Sequence, residues 1–244
     1  MDSNNNIISN KLFVNDKGFY FMSIHIITGG IGSGKSLSIV KEIITRNQVC
    51  FTNFHVRHKL AIRLKYEHLF KLDDKGNIQS VNFEFWKKVK EKYGGFDIYL
   101  DEFHNVMNSR RSMSKKNVII SDWLAQIRKV LGDSEKNNLY LISQKLRRID
   151  VNCKDLSHKA ITCIKKTFSN KVLTTVYEEG KKINKMLPLT MIYKFHFKDA
   201  DAMSAYESYG IDTCENVTRF IGNKFYRYYD SYEMIAFCDE KEYV

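Results

Sequence analysis

The sequence predicts an α/β fold, a mainly parallel sheet flanked by helices, on three observations. Short runs rich in aromatic and β-branched residues alternate with segments of helical periodicity, the order that yields parallel strands. Three of those apolar runs stop abruptly, at Gly29, at Asp101 and at Gln144, and in open α/β sheets sites lie beyond the carboxyl ends of the strands. From about residue 171 the pattern changes, which predicts a small C-terminal α+β appendage.

Residues 1–18 are polar and read as a flexible leader. Residues 19–28 (FYFMSIHIIT) have the composition of a buried strand, and a glycine-rich turn follows. Leu37, Ile39, Val40, Ile43 and Ile44 then recur at helical spacing. Residues 49–56 read as a second strand. Residues 62–70 and 83–93 read as helices, separated by a turn at 73–77 (DDKGN). Gly94 and Gly95 end the second of these helices, and 96–101 is a short strand ending in acid. Residues 118–131 are helical, with Ile119, Trp123, Ile127 and Val130 on one face, and 138–144 (NLYLISQ) is another buried strand. Residues 172–178 and 190–197 resemble a hairpin, followed by aromatic-rich helices. The expected organisation is a leader (1–18), a nucleotide-binding core (19–170) and an accessory region (171–244). A single proline excludes a proline-rich linker, and no repeat of solenoid period is present.

The turn after the first strand, GGIGSGKS, has Gly29, four residues, then Gly34-Lys35-Ser36, a complete Walker A pattern in the strand–turn–helix setting it requires. Its chemistry follows from backbone geometry. The N–H groups of Gly29, Gly30, Ile31, Gly32, Ser33, Gly34, Lys35 and Ser36 converge at a helix N-terminus, where the helix dipole also favours negative charge. Lys35 would reach the β- and γ-phosphates, and the Ser36 hydroxyl would ligate Mg²⁺. The expected cofactors are therefore ATP and Mg²⁺. In IYLDEFH, Asp101 is placed to join the Mg²⁺ shell and Glu102 to polarise an attacking water, the Walker B arrangement. Gln144, ending the third strand, would sit beside the phosphates and respond to loss of the γ-phosphate. His104 reads as packing or support beside the acidic pair.

The formal net charge is +11, which suits a polyanionic partner, nucleic acid first and an anionic membrane surface second. Arg110, Arg111, Lys115 and Lys116 form one cluster of candidate DNA-phosphate contacts, and Lys145, Arg147 and Arg148 a second. No run approaches 18 consecutive apolar residues, so no membrane span is expected, and the N-terminus lacks the order of a signal peptide. Five scattered cysteines without a CxxC pair predict reduced thiols in a cytoplasmic protein and no structural zinc.

Together GGIGSGKS, FTNF, YLDEFH and LYLISQKLRRID resemble the additional-strand (RecA-like, ASCE) P-loop ATPases of the FtsK/HerA type. Within that group the sequence is most similar to the zonula occludens toxin-like (Zot-like) and viral genome-packaging ATPases. The resemblance spans about residues 22–165, with a weaker C-terminal echo in YYDSYEM. It implies an ATPase whose catalytic residues are Lys35, Glu102, Gln144 and an arginine acting on the neighbouring subunit. It also implies a ring oligomer that moves or packages double-stranded DNA, with a capsid or portal protein as a further partner. The family's arginine lies close before the glutamine strand. Here GDSEKNN intervenes after Arg128, so Arg128, Arg110 and Arg111 all stand as candidates. Filamentous-phage relatives carry a membrane anchor, and its expected absence favours packaging over extrusion. The expected location is the cytoplasm (the host's, for a virus) or the virion. A P-loop kinase acting on a nucleoside or small molecule, and a nucleotide-dependent assembly factor, are the competing readings. The Glu102 and Ser-Gln features fit water activation better than phosphoryl transfer to an acceptor.

Overall fold

The computed structural model describes residues 23–75, 78–106, 115–131, 137–178 and 181–229. The expected leader, Arg110 and Arg111 lie outside the described residues. Strand β1 (Ser23–Thr28) enters the glycine turn, and α1 (Lys35–Arg46) leaves it. Then come β2 (Cys50–Thr52), β3 (Ala61–Arg63), α2 (Tyr66–Leu69), β4 (Phe70–Leu72), β5 (Ile78–Val81) and α3 (Phe83–Tyr93). Strand β6 (Asp97–Leu100) leads into α4 (Phe103–Val106), and α5 (Lys115–Leu131) precedes β7 (Asn138–Ile142). Helix α6 (Val151–Asp155), strands β8 (Lys159–Glu178) and β9 (Lys181–Phe197), α7 (Ala200–Tyr209) and β10 (Asn216–Ile221) complete the described chain with a final 3-10 turn, Gly222–Tyr228.

The main sheet runs β10-β9-β8-β1-β7-β6-β2-β3. All pairs from β8 to β3 are parallel, and β9 and β10 add antiparallel strands at the other edge. Strand β7, carrying Gln144 at its end, is thus inserted between the Walker A strand β1 and the acidic-pair strand β6. That insertion is the additional strand, and the fold is the RecA-like P-loop NTPase type.

Alternation along the strands sorts the core into two layers. Ile24, Ile26, Ile98, Leu100, Leu139 and Leu141 face one side, where Trp86 of α3 and Trp123 of α5 close over them. Ile27, Tyr99, Tyr140, Ile142, Ile161 and Cys163 face the other, beneath Ile39, Val40 and Ile43 of α1. Asn82 caps α3 by accepting from the Phe85 N–H, and Gly94 ends it at φ 72°, a left-handed backbone suited to glycine.

Two expectations are corrected. Residues 62–70, expected as one helix, form edge strand β3 followed by only one helical turn. Pairing of Cys50–Thr52 with Ala61–Arg63 extends the parallel sheet and outweighs local helical spacing, while Leu64 and Leu69 are still buried. The segment expected as a turn between helices, 73–77, falls instead between two paired strands, β4 and β5, and Asp73 accepts from the Lys75 N–H; residues 76 and 77 lie outside the described ones. The C-terminal hairpin is also longer than expected. Residues 172–178 pair with 181–187, and 190–197 pairs with 160–167, so the expected halves are not each other's partners. The α+β content expected after residue 171 is present as β9, α7 and β10, joined to the sheet edge through β8.

Beneath α1 the rings of His25, Tyr140 and Tyr99 stack across three adjacent strands, with centroids 4.7 and 4.5 Å apart. Burial, reinforced by Lys159, Lys194 and Arg46, brings the His25 pKa down to about 3 against the opposing hydrogen bond with Asn138. The unfolded chain therefore takes up this proton first, below about pH 6.5, and the native state loses stability as pH falls towards 3. Going from pH 7 to 5 should cost about 2 kcal/mol through this group. Urea unfolding at the two pH values measures it. His25→Phe, which keeps a stacked ring, should flatten the difference by that amount; an unchanged difference refutes the assignment.

Candidate active site

The carboxyl ends of β1, β7 and β6 place three groups side by side. At the end of β1 the loop turns through Gly29 (φ 144°) and reaches α1 through Gly34 (φ 89°). A Cβ at Gly29 would come within 2.6 Å of the Cys163 carbonyl, and one at Gly34 would collide with Ile192. Both positions combine positive φ with close packing, so only glycine fits. Lys35 is buried and bridges the loop, donating from Nζ to the carbonyls of Gly29 at 2.8 Å and Gly30 at 3.1 Å.

Ser36 lies in the first turn of α1, and its Oγ donates to Asp101 Oδ2 at 2.8 Å. Asp101 is 2% exposed. Burial pushes its carboxyl pKa up, opposed by the bonds from Ser36 and the Glu102 N–H. A buried carboxylate beside a hydroxyl is an all-oxygen donor set that suits Mg²⁺, a small hard cation usually held by one or two carboxylates plus substrate phosphates. Asn53, just past β2, clamps the Asp101 backbone from both sides: its Nδ2 donates to the Asp101 carbonyl, and its Oδ1 accepts the Asp101 N–H, each at 2.8 Å.

Glu102 has φ 48°, a left-handed backbone that is uncommon for a residue with a Cβ. Such conformations cost of order 1–3 kcal/mol and cluster at functional sites. Here the turn directs the carboxylate towards Gln144, whose Nε2 lies 3.4 Å from both Glu102 oxygens. The opposite end of the same amide accepts from Arg148 Nη1 at 3.0 Å, which sets the orientation of Gln144. His104 completes the cluster: its Nδ1 is 3.3 Å from Glu102 Oε2 and from Ser143 Oγ, and its Nε2 is 3.4 Å from Arg148 Nη1. Burial lowers the His104 pKa, Arg148 and Lys35 adding to that effect and Glu102 opposing it. A neutral ring protonated on Nδ1 fits these partners, donating towards the oxygens and accepting from Arg148.

Lys35, Ser36, Asp101, Glu102 and Gln144 are thus brought together. Arg148, grouped on sequence with the candidate DNA contacts, lies on Gln144. Lys145, Arg147 and Arg148 are exposed around buried Leu146, which anchors their turn. Arg128 lies in α5 and Lys115 and Lys116 open that helix, but their side chains lie outside the described ones. The clamp by Asn53 and the link from Arg148 to Gln144 are not among the sequence-based expectations. The rule that found Gln144, a polar residue where an apolar strand stops, would also have found Asn53 in FTNF.

Residues 23–210 match the Zonular occludens toxin (Zot) family. The chain belongs to the Zot family. Among solved structures it is similar to the N-terminal domain of zonular occludens toxin from Neisseria meningitidis, with 19% identity, 82% of this chain and 93% of that one covered, and a TM-score of 0.46. The genome packaging NTPase of Sulfolobus turreted icosahedral virus 2, in complex with ATP-gammaS, is 13% identical over 81% of this chain and 96% of its own, with a TM-score of 0.41. A KaiC-like protein from Pyrococcus horikoshii OT3 is 11% identical over 89% and 94%, with a TM-score of 0.41. No match is found among curated proteins. Among the described residues, no helix is long and apolar enough to cross a membrane.

Proposed function

We propose that this Zot-family chain is a Mg²⁺-dependent ATPase that drives double-stranded DNA translocation, as a ring oligomer packaging a viral genome. The observation that carries the reading is Glu102, aimed by a left-handed backbone at Gln144 beside the Ser36–Asp101 pair. A carboxylate held there by an amide is arranged to accept a proton from water in line with a terminal phosphate. In this reading Lys35 exchanges its carbonyl partners for the phosphates. Ser36 and Asp101 hold Mg²⁺, which supplies charge neutralisation when bound. Gln144 relays the state of the γ-phosphate. The arginine supplied by a neighbouring subunit is Arg128, with Arg110 and Arg111 as the other candidates. A core at 19–170 performs the chemistry, 171–244 is accessory, and a capsid or portal protein receives the motor in the host cytoplasm or at the virion.

The net charge of +11 supports a polyanionic partner. Lys145 and Arg147, exposed near the site, are suited to tracking phosphates without reading bases, as Arg110, Arg111, Lys115 and Lys116 are in this reading. ATPase rate with and without duplex DNA, over a salt series, tests the proposal. Duplex should stimulate hydrolysis regardless of its sequence. Log affinity should fall linearly with log salt, by about 0.9 for each phosphate neutralised. No stimulation, or a flat salt dependence, removes DNA from the reading.

A further inference from the structure

We infer that Lys165, on the strand that overhangs the glycine loop, is a second lysine that contacts the terminal phosphates of a bound nucleoside triphosphate. Register establishes its position. β8 runs parallel to β1, and its Thr162 pairs with Thr28, the last residue of β1. There β1 gives way to the loop, whereas β8 continues as the long arm paired with β9. Three residues past Thr162, at about 3.3 Å per residue, Lys165 lies about 10 Å beyond the end of β1, above the loop.

Alternation establishes its face. Ile161 and Cys163 belong to the layer beneath α1, so Lys165 continues that face where it passes from helix to loop. Its ladder partner Ile192 packs on Gly34 from the same side. A Cβ at Gly32 would come within 4.0 Å of Lys165 Nζ, the one atom of the described residues beyond Gly32 and its chain neighbours at that distance. Two residues on adjacent strands thus roof the loop, the apolar one over its end and the cationic one over its middle. Lys165 is exposed, and among the described residues no ion pair engages it. The adjacent Lys166 points to the opposite face, with its ammonium over the Tyr193 ring at 5.3 Å. An exposed lysine is ordinarily a solvated one. This one stands at the mouth of a loop whose N–H groups converge on anionic charge, where an ammonium would complement phosphate oxygens distant from Lys35.

The inference rests on the P-loop reading, and the experiment separates the two. Binding of the non-hydrolysable analogue AMP-PNP and of ADP is measured by calorimetry, with thermal melting as the check on folding. Lys165→Ala should lose about tenfold in affinity for AMP-PNP, equivalent to about 1.4 kcal/mol, and less than about threefold for ADP. Lys165→Arg should stay near the parent, and Lys166→Ala should match it. If Lys35→Ala loses binding while Lys165→Ala matches the parent for both nucleotides, Lys165 makes no contact and the inference alone fails. If Lys165→Ala weakens both nucleotides equally, the terminal-phosphate assignment fails. If Lys35→Ala still binds, the P-loop reading itself fails. The unaltered protein gives a second measurement, using ATP acylated on its terminal phosphate. Attack by a lysine Nζ on the acyl carbon forms an amide, releases ATP and gives up a proton to solvent. Peptide mass spectrometry should find the acyl group on Lys165 and not on Lys166; acylation confined to Lys35 overturns the inference.

Discussion

Glu102→Gln should bind nucleotide with parental affinity and hydrolyse it at a rate lower by about 10²–10⁴, the range that a positioned general base contributes. The substitution preserves length and shape, so the left-handed backbone at 102 and the neighbouring Asp101–Ser36 bond have no reason to move. It removes only the group able to take a proton from water. An amide at 102 can still meet the Gln144 amide, which keeps the two side chains together while eliminating the base. Single-turnover hydrolysis alongside an equilibrium titration separates the two quantities. A parental rate assigns water activation elsewhere. A parallel fall in affinity would make Glu102 a binding residue.

The parts of this site legible in the sequence are those whose chemistry is local. Gly29 and Gly34 announce themselves because a left-handed, tightly packed backbone admits no other residue. Asp101 and Gln144 were visible because an apolar strand that stops at a polar side chain leaves that side chain at the sheet's carboxyl edge. What stayed hidden depends on pairing between distant segments. Lys165 is one lysine among many until β8 is laid beside β1 in register. Arg148 lies in a basic run that reads as a nucleic-acid patch, and only the fold of the turn after β7 shows its guanidinium on Gln144. The misread helix at 62–70 has the same origin, since edge pairing with β2 is a long-range gain that local periodicity cannot register. The C-terminal strand pattern predicts a hairpin, yet its register depends on where the turn falls, and a strand pattern without a fixed turn leaves that open.

Asn53 stands where an apolar strand stops, but its role depends on the neighbouring strand. Its two bonds hold the Asp101 peptide from both sides, so β2, which supplies no group to the reaction, fixes the height at which β6 presents its acid. Arg148 has a comparable place around Glu102: it holds one end of Gln144 while the other end faces the carboxylate. The site is therefore a set of chemical groups at the ends of three strands, aimed by neighbours from other segments, Asn53 just past β2 and Arg148 in the turn after β7.

Lys35→Ala should abolish nucleotide binding while leaving the empty protein about as stable as before. Among the described residues Lys35 donates to two loop carbonyls, which solvent can satisfy once the side chain is gone. With nucleotide bound, the same ammonium would instead make charge-assisted bonds to phosphate oxygens, each contributing about 1.5–3 kcal/mol. Losing two of them lowers affinity by about 10²–10⁴. The consequence is readable without enzymology. Ligand at 100 times its dissociation constant stabilises the parent by about 2.7 kcal/mol, which for a chain of this size raises the melting temperature by about 5–10 °C. The variant should melt close to the empty parent and show almost no shift at the same nucleotide concentration. A full shift in the variant would mean that Lys35 is not the phosphate lysine. A melting temperature far below the empty parent would make it a structural residue instead, since the ligand-free loop would then be what it holds together.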